Sequence, residues 1–257
     1  MAFKRIVVKI GTNALMRGDR INKSIIKSLA QELSEARKNG SDVMLVTSGA
    51  IGFGIEKMHR GFPPDMQTRQ AMAAIGQNLL MSEYEKAFRK HGQVIAQVLL
   101  TPNVFTNHGA LSNLGSTLEK LFEMKAIPII NENDVVAVEA LSETKPFSDN
   151  DGLAALMAVN FNADLMILLT DVDGFFTENP KENHKAKKIR SLKQLLAGEM
   201  VHGRKSKYGL GGIKSKTLAV QKVVSRGISA AVCKARKGAV KCVLDGNCSG
   251  SFFEAGK

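Results

Sequence analysis

RIVVKIGTNALMRGDRINKSIIKSLAQELSEARKNGSDVMLVTS, residues 5–48, decides the class of fold. Its first six residues are an apolar run of strand length with one lysine in it. Lys23 to Lys38 follows as an amphipathic helical stretch stopped by Asn39-Gly40, and DVMLVTS, residues 42–48, is a second apolar run. The order predicts strand, helix, strand. Neither strand alternates polar with apolar residues, so both faces are expected to be covered, as in a parallel sheet with helices on each side.

The rest of the chain repeats the pattern. Helices are predicted over about residues 66–90, near 116–124, over 151–160 and over about 213–226. Strands are predicted at QVIAQVLL (93–100), AIPII (126–130), ADLMILLT (163–170) and SAAVC (229–233). The expected architecture is α/β, a three-layer αβα sandwich with a mostly parallel central sheet. With 257 residues, 44% of them hydrophobic, the chain can bury a substantial core. No linker or repeat divides it, and one domain over residues 1–257 is expected.

In such sheets ligands sit outside the carboxyl ends of the strands. The residues just past each predicted strand are Gly11-Thr12-Asn13, Ser48-Gly49-Ala50, Asn131 to Asp134, and Thr170-Asp171, all small or polar. Lys9 is either an edge-strand lysine facing solvent or a buried ammonium that must be paired or used. Beside a Gly-Thr turn it suits an anion. SGAIGFG (48–54) could cradle an anion at a helix start, although it is not the GxGxxG fingerprint. YGLGGIKSK (208–216) joins a glycine loop to a predicted helix, with Lys214 and Lys216 inside. It is not a Walker A loop, because Ser215 stands where that motif needs glycine.

Two Asn/Asp clusters, Asn131 to Asp134 and Asp149 to Asp151, bracket residues 135–148. Asn and Asp are turn and capping residues, and Asp149 to Asp151 precedes a helical run. Two clusters after one strand exceed what capping requires. Carboxylates there could orient lysines or hold magnesium, and amides could grip an α-amino or α-carboxyl group. The segment between them reads as a flap able to close over a ligand.

The formal net charge of +12 invites a nucleic-acid reading, with a basic RNA-binding module as the non-enzymatic alternative. The basic residues are dispersed, however, and Tyr208 is the one aromatic in the densest stretches, so no stacking platform is expected. The five histidines sit in helical or loop segments, none at a strand end with a nucleophile, which gives a Ser-His-Asp arrangement no support. Cys233, Cys242 and Cys248 lack CxxC spacing and are expected to be reduced bystanders. No stretch nears the roughly 20 apolar residues of a membrane span, and no signal h-region is present, so the expected location is cytoplasmic.

Taken together, VVKIGTNAL (7–15), LVTSGAIGFG (45–54), QAMAAIGQNLLMSEYEKAF (70–88), AQVLLT (96–101), PIINENDVVA (128–137), DNDGLAALMA (149–158), LLTDVDGFFTENP (168–180) and GGIKSK (211–216) resemble the amino acid kinase family. Within it, INEND followed by DND is similar to the glutamate 5-kinase branch. The resemblance implies transfer of the γ-phosphoryl group of ATP, with Mg²⁺, to the γ-carboxylate of L-glutamate, giving glutamyl 5-phosphate and ADP at the first step of proline biosynthesis. It also implies roles by position. Lys9 and Lys216 would stabilise the transferring phosphoryl group, with Asp149 organising the lysines. Gly11 and Gly49 would supply backbone donors. Ser48, Gly49, Asn131, Asp134, Asn150 and Asp151 would surround glutamate. Lys9, Gly11, Thr170, Asp171, Leu210, Gly211, Gly212, Ile213, Lys214, Ser215 and Lys216 would hold the nucleotide. The implied partners are glutamyl 5-phosphate reductase and further copies of the chain, as dimer or tetramer. The alternative within the family is another acceptor, such as aspartate, N-acetylglutamate or a small phosphate. Ser148 and Leu210 replace a glycine and a threonine usual in the family, and no RNA-binding-like PUA domain is expected after residue 257.

Overall fold

The computed structural model describes residues 3–18, 20–63, 65–136, 149–178, 183, 185–190, 192–196 and 212–256. Most of the expected flap, together with Leu210 and Gly211, lies outside them. The chain opens with strand β1 (Arg5–Ile10), a one-turn helix α1 (Thr12–Leu15) and a small hairpin, β2 (Met16–Arg17) with β3 (Arg20–Ile21). Helix α2 (Lys23–Lys38) leads to β4 (Asp42–Thr47), then α3 (Ala50–Met58) and the long α4 (Met66–Arg89). Strand β5 (Ile95–Leu100), a 3₁₀ turn at Pro102–Phe105, α5 (His108–Glu123) and β6 (Ile127–Glu132) follow. The second half has α6 (Asn150–Asn160), β7 (Leu165–Thr170), α7 (Leu192–Leu196), α8 (Ile213–Val224), β8 (Ser229–Lys234), α9 (Ala239–Leu244) and β9 (Ser251–Phe253).

Among the described residues seven strands form one sheet in the order β5-β6-β4-β1-β7-β8-β9, parallel throughout except for β9. The chain builds outward from β1 through β4, then returns to β1's other side with β7. That reversal makes the carboxyl end of β1 the topological switch point, where a crevice opens between diverging connections. Register brings the exits level there. Lys9 pairs with Val46 and Leu168, and Val46 pairs with Ile130.

Period-two alternation sorts the side chains of β1. Ile6, Val8 and Ile10 enter the core beneath α2, α4 and α9, whereas Val7 enters the opposite core under α5, α6 and α8. Lys9 shares the face of Val7, which sends its ammonium toward α6.

The predicted helix near residues 116–124 is only the second half of α5. Its first turns, rich in Gly, Ser and Asn, have weak local propensity, and they form under the Asn107 cap, whose Oδ1 accepts from Ala110 N at 3.0 Å. Helix α9 and strand β9 were not expected from sequence. The carboxylate of Glu32, nearly buried on α2, supports α9 by accepting from Gly238 N (3.0 Å), Val240 N (2.8 Å) and Lys241 N (3.1 Å).

Candidate active site

Strand β1 delivers Lys9, only 6% exposed, to the switch point. A buried ammonium is costly unless paired. Its partner is Asp151, 0% exposed in the first turn of α6, with Oδ1 2.7 Å from Lys9 Nζ. The other oxygen, Oδ2, lies 2.9 Å from Nζ of Lys216, one turn into α8. One carboxylate therefore ties two ammonium groups from elements far apart in the chain. Burial pushes the Asp151 carboxyl upward, but the charges and hydrogen bonds of Lys9 and Lys216 outweigh it and hold it below the ordinary value.

This geometry corrects the role expected of Asp149. That residue is the N-cap of α6, in extended backbone (φ −162°, ψ 176°), and its Oδ1 accepts from Asp151 N at 3.1 Å and Gly152 N at 3.0 Å. Among the described residues the ion pairs of Lys9 and Lys216 go to Asp151, and none joins either lysine to Asp149. The first Asp of the DND run starts the helix and the second, inside it, meets the lysines. Asp151 had been expected among the residues around glutamate.

Beside the ion triad stands a chain of amides. Asn150 Nδ2 contacts Thr47 O (3.0 Å), Ser48 Oγ (2.9 Å) and Asn131 Oδ1 (3.1 Å), sharing its two hydrogens among three acceptors. Asn131, at the end of β6, accepts from Glu132 N (2.9 Å) and donates through Nδ2 to Gln77 Oε1 (2.9 Å) on α4. Ser48, Asn131 and Asn150 are thus one connected group. Gln77 was missed. It lies in a helical block with no local sign that it reaches a strand end.

A second residue of α4 braces the same corner. Tyr84, seven positions beyond Gln77 and therefore on the same helix face, places its hydroxyl 2.8 Å from Thr47 Oγ1 in the core. Helix α4 comes this close because Gly76 and Gly54 let it press on α3. A Cβ at Gly76 would lie 1.8 Å from Ala50 O, and one at Gly54 would lie 2.1 Å from Met72 O.

Asp134 sits just past β6 in the turn that leads to the expected flap. Burial raises its carboxyl to about 6. Gly49 caps α3 at φ +106°, a conformation that favours glycine, and this turns the chain after Ser48. Gly11 starts α1, where a Cβ would meet Lys9 Nζ at 3.3 Å, so glycine leaves the space beside the ammonium open.

The other side of β1 carries the remaining expected residues. Thr170 ends β7 and donates through Oγ1 to Asp171 Oδ1 at 3.1 Å. Gly212 is the N-cap residue of α8, and Ile213, Lys214, Ser215 and Lys216 form its first turn. Lys214 is exposed and is not drawn into the ion triad. The described site residues therefore divide into two groups flanking Lys9: Ser48, Asn131, Asp134 and Asn150 toward β4 and β6, and Thr170, Asp171 and the start of α8 toward β7 and β8.

Among the described residues no group of three or more His, Cys, Asp or Glu side chains gathers at metal-binding distance. The central carboxylate, Asp151, is already engaged by two ammonium groups. The described residues do not make a protein cage for magnesium.

The amino acid kinase family model matches residues 4–234. The chain belongs to the amino acid kinase family. Relatives include the glutamate 5-kinase of Listeria innocua, 43% identical over 224 residues and covering 84% of this chain and 80% of that protein. The glutamate 5-kinase of Enterococcus faecalis is 39% identical over 226 residues, covering 86% and 83%. That of Ligilactobacillus salivarius is 36% identical over 258 residues, covering 97% and 96%. Among solved structures, the carbamate kinase from Giardia lamblia bound to AMP-PNP superposes with a TM-score of 0.66 at 18% identity, covering 98% of this chain and 99% of that one. The UMP kinase from Bacillus anthracis gives 0.64 at 16% identity, covering 100% and 98%. These two likenesses show that the family's fold is kept. No described helix is long and apolar enough to cross a membrane.

Proposed function

We propose that this member of the amino acid kinase family is a glutamate 5-kinase, which transfers the γ-phosphoryl group of ATP to the γ-carboxylate of L-glutamate at the first step of proline biosynthesis. The observation that carries the reading is Asp151 holding Lys9 and Lys216 together at the switch point, beside the Ser48–Asn131–Asn150 cluster. The relatives named above supply the acceptor.

The chemistry suits the residues. A γ-carboxylate is ionised at neutral pH and needs no general base, which agrees with a site built from lysines and amides rather than histidine. One carboxylate oxygen attacks the γ-phosphorus, the bond from that phosphorus to the bridging oxygen breaks, and ADP leaves with the electron pair. The demand on the protein is to align donor with acceptor and to offset negative charge on the transferring oxygens. Lys9 and Lys216 do the second, and Asp151 sets their spacing before substrate arrives. Ser48, Asn131, Asn150 and Asp134 take the amino acid, with Asp134 suited to an ammonium. Gly11 and Gly49 provide backbone donors at the divide. Thr170, Asp171 and the Leu210 to Lys216 segment hold the nucleotide. Magnesium, brought by the ATP phosphates rather than by a protein cage, would share the neutralisation of those phosphates.

The test is ADP release with Mg·ATP against L-glutamate, L-aspartate, N-acetylglutamate, carbamate and UMP, with hydroxylamine present to trap an acyl phosphate as its hydroxamate. Glutamate-dependent release with hydroxamate formation is expected. Release with UMP alone would sink the carboxylate-acceptor reading.

A further inference from the structure

The amide chain beneath the acceptor side has a fixed polarity. Thr47 O can only accept, so the group that Asn150 turns toward it must be the NH₂. Glu132 N can only donate, so Asn131 must turn its Oδ1 toward it. Asn131 is left with Nδ2 to offer, and Gln77 therefore presents Oε1 to receive it at 2.9 Å. Neither backbone group allows its amide to flip. Two atoms are left over at the ends of the chain. Gln77 Nε2, a donor, and Asn150 Oδ1, an acceptor, are both buried and make no hydrogen bond among the described residues.

A buried polar atom without a partner forfeits its hydration with nothing in return, so each such atom calls for an explanation. Gln77 could escape by moving outward if α4 were loose. The contact of Gly76 against Ala50 O and the Tyr84–Thr47 hydroxyl pair hold the helix on either side of it. The pair of leftovers is complementary to the two charged groups at the amino-acid end of a zwitterion. Asp134 and Asn150 Oδ1 are acceptors suited to an ammonium. Of the three amide nitrogens in the chain, Gln77 Nε2 alone makes no hydrogen bond among the described residues, and a carboxylate is what it would meet.

We infer that Gln77 is an acceptor-specificity residue whose Nε2 donates to the α-carboxylate of the amino-acid substrate, while its Oε1 holds Asn131. The inference rests on the functional reading above and extends it to a residue on α4. It accounts for a glutamine rather than a glutamate here. Either could accept from Asn131, but a second carboxylate oxygen in place of Nε2 would repel the substrate.

The test pairs enzyme variants with substrate variants. Wild type, Gln77→Glu and Gln77→Met are assayed with L-glutamate and with its α-carboxamide, and the melting temperature of each is recorded. For wild type, kcat/KM should favour glutamate. In Gln77→Glu, which keeps the acceptor for Asn131, that preference should shrink by about tenfold or more, the factor that 1.4 kcal/mol corresponds to. KM for ATP should stay within about twofold in the same variant, because Gln77 lies on the acceptor side. Gln77→Met should compress the preference as well, by removing the donor without adding charge. A preference unchanged in both variants, or a loss shared equally by the two substrates, would overturn the inference and leave Gln77 a purely structural residue. Wild type that releases ADP without regard to glutamate would overturn the functional reading itself, a result distinct from an unchanged preference.

Discussion

Replacing Asp151 and Asp149 one at a time by asparagine separates the two carboxylates of the DND run. Asp151 is fully buried, with an ammonium at 2.7 Å on one oxygen and another at 2.9 Å on the other. Removing one partner of a buried pair costs about 3–5 kcal/mol, because it strands the remaining charge. Asparagine keeps one acceptor for one lysine and turns an NH₂ toward the other, which places Asp151→Asn near the lower end, about 3 kcal/mol. For a chain of this size that is a fall in Tm of about 6–12 °C. Catalysis should lose more, since two uncompensated cations spread apart when they should converge on the phosphoryl oxygens. Loss of a preorganised electrostatic contact of this kind lowers kcat by about 10²–10³. Asp149→Asn should behave differently. Asparagine is as good an N-cap as aspartate, so Tm should change by only about 1–3 °C and kcat by less than about threefold. The assay is ADP release at saturating ATP and glutamate, with thermal melts in parallel. Near-normal kcat in Asp151→Asn, or a larger loss in Asp149→Asn, would refute the assignment of the lysines to Asp151. The pH dependence has a definite sign. The Asp151 carboxyl is held below its ordinary value, so its ion pairs contribute stability above that value and lose it as pH falls through the depressed one. The difference in Tm between wild type and Asp151→Asn should accordingly vanish in strong acid.

Two other predictions address the support of the site. Burial raises the Asp134 carboxyl to about 6, so it is neutral below that pH and charged above it. The kcat/KM for glutamate should climb between pH 5 and 7 with an inflection near 6, and Asp134→Asn should give a low, flat profile; a wild-type profile without that inflection would remove Asp134 from ammonium binding. The same shift makes the folded chain the better proton binder, so the contribution of Asp134 to stability is greatest in acid and declines as pH rises toward 6. Gly76→Ala would force a Cβ to within 1.8 Å of Ala50 O and 2.4 Å of Gly54 N, neither of which can move without separating α3 from α4. It should cost about 3 kcal/mol or more, whereas Gly61→Ala, with open space around it, should leave the melt unchanged.

The contrast between Lys9 and Gln77 shows what local sequence could reveal. A lysine inside an otherwise apolar strand is conspicuous because its burial demands a partner, and the strand's alternation says which layer must provide one. The order of strands and helices was legible for the same reason, since each predicted run had to bury both faces. Gln77 looks like any helical glutamine. Its place at the site depends on two helices meeting through Gly54 and Gly76 and on the exit of β6 lying beneath them, where Gln77 meets a residue 54 positions further along the chain. The roles within DND were half legible. Capping chemistry was recognisable near Asp149, but which carboxylate faces the lysines depends on the phase of α6 relative to β1 and α8. At the far edge, α9 has only six residues and is held by the Glu32 carboxylate of α2, a partner more than 200 residues earlier in the chain.

In the proposed reaction a carboxylate oxygen of glutamate becomes bonded to the γ-phosphorus of ATP, at a site where Lys9 and Lys216 converge on Asp151. L-glutamate labelled with ¹⁸O in its γ-carboxylate tests it directly. With Mg·ATP and hydroxylamine, attack at the acyl carbon should release inorganic phosphate carrying the former carboxylate oxygen, so each phosphate should hold one ¹⁸O by ³¹P NMR isotope shift and γ-glutamyl hydroxamate should accumulate in equal amount. Phosphate released at the same rate without ¹⁸O would mean that water or another acceptor takes the phosphoryl group, and would contradict the account.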